Sequence, residues 1–126
     1  MIYIEINDKK YPAYITGRLN DADWNNRSSK AITVEMSYEE ALSIFVDDVD
    51  WNIVEEFEET VEKLDENGKI VYTSIIRTET YDNSEYSIAG DIINHRNGEI
   101  TVKMGKPTAE ELLAMIEEAL FNNEEK

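Results

Sequence analysis

The chain has 126 residues, 41% apolar and 32% charged, with 28 acids, 12 bases and no cysteine. That length suits one ordinary domain burying roughly two-thirds of its unfolded surface, and the apolar content excludes a disordered acid. The missing cysteines exclude disulfides, thiolate zinc sites and thiol nucleophiles, while a net charge of −16 opposes direct contact with phosphate backbones or anionic membranes.

In chain order, "IYIEIN" places Ile2, Ile4 and Ile6 on one face, the period of a half-buried strand. Asn7-Asp8-Lys9 is a turn, and "KYPAYIT" resumes as a second strand that Pro12 assigns to a sheet edge or a strand start. Residues 17–29 collect Gly, Asn, Asp and Ser without a period and read as a loop. "KAITVEM" alternates again through Ile32, Val34 and Met36. Ser37 and Glu40 form a capping box, opening a short helix whose buried face is expected at Tyr38, Ala41, Leu42 and Phe45.

Residues 51–66 admit two readings. Trp51, Val54, Phe57, Val61 and Leu64 make a helical stripe that Gly68 would terminate. Alternatively, Asn67-Gly68 is a hairpin turn, and the β-branched run "KIVYTSIIRTE" needs a partner strand before it. Pairing outward from a two-residue turn sets Glu66 opposite Lys69, Leu64 opposite Val71 and Glu58 opposite Arg77. These pairs are mutually compatible, and the hairpin is preferred. Its acidic first strand would lie at an edge, where charge blocks strand addition.

Asn97-Gly98 predicts a second hairpin over residues 86–104. After Pro107, Thr108 and Glu111 repeat the capping box. They open a helix with Leu112, Met115, Ile116, Ala119 and Leu120 on the face expected to seal the sheet. Residues 123–126 should fray. The fold class expected is therefore α+β over residues 1–122: a mainly antiparallel sheet or partial barrel with long hairpins and two short amphipathic helices.

Charge is unevenly placed. Residues 37–66 hold twelve acids and one base and residues 107–126 hold six and one, whereas 1–36 and 67–106 hold five of each. Solubility explains such acidity as readily as a basic partner or a cation does.

Little of the chain suggests catalysis. The single histidine, His95, sits beside a turn, where a solvated or backbone-bonded role is ordinary. No Gly-x-Ser-x-Gly elbow or phosphate-binding glycine loop is present. Asp91 interrupts an apolar run, and an outward strand position or a bulge accounts for it. The best metal-like string is "DADWNN". Asp21, Asp23 and Asn25 alternate as in a calcium loop, but Asn26 replaces the required Gly and Ile32 the closing Glu. Asp47, Asp48 and Asp50 form a second acidic cluster. Trp24, in a loop of Asp and Asn, is a candidate interface residue, with folding back onto the core as the competing reading.

Residues 30–54, "KAITVEMSYEEALSIFVDDVDWNIV", and 81–116, "YDNSEYSIAGDIINHRNGEITVKMGKPTAEELLAMI", carry a resemblance. They are similar to small uncharacterised proteins encoded among tail and virion genes of Firmicutes phages and prophages. The resemblance rests on general character, not on a catalytic motif. It implies a structural or assembly protein, not an enzyme, found in the host cytoplasm or the virion. Its partner would be a protein, through self-association or phage tail components. No cofactor, direct nucleic-acid contact or membrane contact is expected. The alternative from another class is an acidic DNA mimic that inhibits a nucleic-acid-binding protein.

Overall fold

The structure, a computed structural model, describes residues 1–124. Seven strands form one open antiparallel sheet: β1 Ile2–Ile6, β2 Lys9–Asp21, β3 Arg27–Glu35, β4 Trp51–Leu64, β5 Ile70–Asp82, β6 Ile88–Asn94 and β7 Glu99–Gly105. Their spatial order is β5-β4-β1-β2-β3-β7-β6, so the sheet does not close into a barrel. Two helices, α1 Tyr38–Ile44 and α2 Ala109–Glu124, complete the α+β arrangement.

The N-terminal hairpin turns through Asn7 and Asp8, both at positive φ, which closes Ile6 against Lys9. β2 then serves two ladders in succession. Residues 9–12 pair with β1, and pairing with β3 begins at Ala13. Pro12 stands at the changeover, where a missing N–H removes no bond from the β3 ladder. β2 is interior in the strand order, yet at Pro12 its β3 side is still unpaired, a local edge of the kind the proline predicts.

The expected loop over residues 17–29 is mostly strand. β2 continues to Asp21 and β3 starts at Arg27, leaving Ala22–Trp24 as one 3₁₀ turn. A register shift between Arg18 and Asp21 absorbs the polar residues that hid the strand in the sequence.

The core lies on one face of the sheet, where Ile4, Ile6, Ile32, Val34, Ile100, Val102 and Met104 meet Ala41, Ile44 and Phe45 of the α1 region. Ser37 caps α1 by accepting from the Glu40 amide at 3.1 Å. The face it buries differs from expectation: Ala41, Ile44 and Phe45 go inward, while Tyr38 and Leu42 remain exposed. Glu40 also departs from the box, accepting instead from the Tyr11 hydroxyl. Trp51 closes the core edge-on to Tyr86 and donates from Nε1 to the Tyr86 carbonyl.

The expected sealing helix does not seal the sheet. The α2 capping box is reciprocal: Thr108 Oγ1 accepts from the Glu111 amide, and Glu111 Oε1 accepts from the Thr108 amide. Yet Leu112, Leu113, Met115, Ile116, Leu120 and Phe121 are all exposed. Amphipathic spacing shows that a helix has two faces; it does not say what covers the apolar one. Asn123 and Glu124, expected to fray, are helical, and residues 125–126 of that expected tail lie outside the described residues.

Candidate functional site

Two places on the structure bear on function. The first is a polar cluster where β2, β3 and β7 meet. Asp21 caps the 3₁₀ turn through the Asp23 amide and turns its carboxylate into the sheet. There it accepts from the Ser29 hydroxyl and from Lys103 Nζ, each at 3.0 Å. Lys103 above all, then Ser29 and the Asp23 amide, hold the Asp21 carboxyl at about 2, against the burial that raises it. The Arg18 guanidinium lies 3.4 Å from Asp21 and 3.8 Å from exposed Asp23. The cations beside the calcium-like string are thus Lys103, Arg18 and Arg27. Asn25 sits exposed at positive φ, ending the turn. Among the described residues, no three His, Cys, Asp or Glu side chains group to hold a metal ion.

Trp24 is half-buried and folds over β6 and β7. A Cβ at Gly90 would lie 2.8 Å from the indole, and one at Gly105 would meet both the indole and Arg27, so two glycines make its bed. The Arg27 guanidinium stacks 4.9 Å from the ring centroid. Arg27 is itself buried, donating twice to Glu111 (2.6 and 3.2 Å) and once to the Lys106 carbonyl. Arg27 first, then the Thr108 amide, hold the Glu111 carboxyl at about 2. Trp24, Asp23, Asp91 and Lys103 share the wall of a cavity of about 520 Å³ beside the β6 bulge.

His95 and Asp47 lie apart from that cavity, and Asp91 is at its rim. His95 is exposed, with Nε2 2.7 Å from Thr101 Oγ1. Asp91 stands exposed within the bulge between Ala89 and Ile92. Asp47 accepts from the Ala89 amide, so one member of the second acidic cluster ties the segment after α1 to β6. No helix among the described residues is long and apolar enough to cross a membrane.

The second place is one the sequence pointed to only by its pattern. β4 pairs with β1 through Glu55 and with β5 along its whole length. Beyond residue 56 the two strands form a two-stranded arm. Residues 51–66 are therefore strand, not helix, apart from the turn itself. The register is one residue away from the expected one: Leu64 faces Ile70, Phe57 faces Arg77 and Glu58 faces Ile76. The turn holds three residues, not two. Gly68 alone takes the positive φ, and Asp65 accepts from the Asn67 and Lys69 amides. Such a slip exchanges the faces, so Arg77 pairs diagonally with Glu59 rather than with Glu58.

The arm presents two unlike edges. Its β4 edge carries Glu58, Glu59 and Glu62; its β5 edge runs from Ile70 to Ile76 without a charge. The acidic strand is thus an edge only beyond residue 56, and it leaves the opposite edge unprotected. Leu64, Ile70, Tyr72 and Ile76 all stand exposed on one face. Comparison with protein families, curated proteins and solved structures found no match to this chain.

Proposed function

We propose that this chain is a non-enzymatic structural or assembly protein that works through protein–protein contacts, of the kind phage tails and their assembly require. The observation that carries this reading is the arm. Two-stranded hairpins are marginal in water, and stability comes with a third strand or a packed face. Seven uncharged, β-prone residues along an open edge form a template for strand addition. The exposed apolar face of α2 gives a second contact surface in support. The phage assignment within this reading rests on the resemblance of residues 30–54 and 81–116.

The acidic-mimic alternative draws less support. Strand alternation divides the arm's acids, with Glu56, Glu58 and Glu62 on one face and Glu55 and Glu59 on the other. A mimic of the phosphate backbone needs them on one surface. The test is co-expression with the products of the flanking genes, followed by size-exclusion chromatography with light scattering. A stoichiometric complex that loses affinity when Tyr72 and Ile76 become Lys is the expected result. A chain that stays monomeric alone and with every flanking product overturns the proposal.

A further inference from the structure

We infer that the β5 edge pairs with the β5 edge of a second copy of this chain, antiparallel about a two-fold axis at Ser74. This rests on the assembly reading above and names its partner.

The backbone fixes which residues are available. Asp65 and Lys69 close the arm with a bond from the Asp65 amide to the Lys69 carbonyl. Bonded and non-bonded pairs alternate from there, so the Thr60–Ser74 pair is non-bonded. Ile70, Tyr72, Ser74 and Ile76 consequently turn their N–H and C=O groups away from β4, toward the open edge. A copy rotated about Ser74 meets these groups with its own.

Charge selects the register. Residues 69–79 carry Lys69, Arg77 and Glu79, a net +1 within a chain of −16. An axis at Thr73 would set Lys69 against Arg77 of the second copy. An axis at Ser74 sets Lys69 against Glu79, twice, and Tyr72 against Ile76, twice. It also places Thr73 beside Ile75 and Val71 beside Arg77. The exposed Tyr72 and Ile76 thereby cover each other, while Glu58 and Glu62, their neighbours on β4, remain at the outer flanks in water.

The experiment uses the full chain and sedimentation or light scattering up to about 1 mM. The mass should rise from 14.6 kDa toward twice that value, and more readily as salt screens the repulsion of two −16 chains. Ser74→Pro removes an outward N–H that β4 does not use, and Ser74→Lys charges the edge. Either should return the monomer with unchanged circular dichroism. The chain has no cysteine of its own, so Ser74→Cys should form one intermolecular disulfide on oxidation, while Thr60→Cys on the acidic edge should not. A wild type that stays monomeric at 1 mM overturns the self-pairing, and binding of a flanking gene product then decides separately whether the assembly reading stands. A dimer that survives both Ser74→Pro and Ser74→Lys overturns this edge as the interface and leaves assembly by contact intact.

Discussion

Ile32 and Ile76 are the same residue in the same kind of strand, yet Ile32 is 0% exposed in the body and Ile76 is 72% exposed on the arm. The difference is not local. β4 is one continuous strand, and Trp51 and Val54 lie under cover until β1 ends as its neighbour. Past that point Phe57 and Val61 are only half-buried, and Leu64, Tyr72 and Ile76 stand in solvent. Strand propensity therefore says nothing about burial; neighbours decide it. In the body each ladder has a second ladder beside it and one face gathers the core, whereas the arm has only its own two strands.

That contrast can be broken most sharply with equal substitutions. Ile32→Ala should cost about 2–5 kcal/mol in chemical denaturation, because it leaves a void under α1. Next comes the close approach that seats Trp24. Gly105→Ala puts a Cβ 2.7 Å from the Arg27 side chain and 2.8 Å from the indole. It should cost roughly 1–3 kcal/mol and lower the near-ultraviolet signal of Trp24.

Acid should separate body from arm in a different way. Asp21 and Glu111 both ionise at about 2 in the folded chain, below their unfolded range near 4. Their stabilising effect is thus complete above about pH 5 and is withdrawn as pH falls toward 2. Thermal midpoints should drop by a few degrees across that window, less so in Asp21→Asn. Smaller still, Gly68→Ala at φ +80° should cost roughly 1 kcal/mol at the arm tip. Its readout is amide exchange confined to residues 57–77. Ile76→Ala should change monomer stability by no more than about 0.5 kcal/mol. A large loss there would mean that the arm is packed in the free chain, and the comparison with Ile32 would fail.

Most strands could be read from alternation, and both hairpins from Asn-Gly. What could not be read was set by geometry at single residues. Whether Asn67 joins Gly68 at positive φ decides between a two-residue and a three-residue turn. That choice moved the whole β4–β5 register by one. Asp21 looked like a loop residue among Asn and Asp, and its true partner, Lys103, lies 82 positions away. Trp24 likewise required Gly90 and Gly105 to be brought beneath it. The stripe on α2 is legible as apolar in its spacing, but its exposure is not. No spacing rule could show that Arg27 would fix the helix by its first turn, since that ion pair also spans the chain.

The changeover in β2 at Pro12 has a kinetic side. Because that strand closes one ladder through residues 9–12 and the other from Ala13 onward, neither half of the sheet can be completed before β2 is in place. The two halves are thereby coupled through one strand, and the coupling runs across Pro12, which has no N–H to donate.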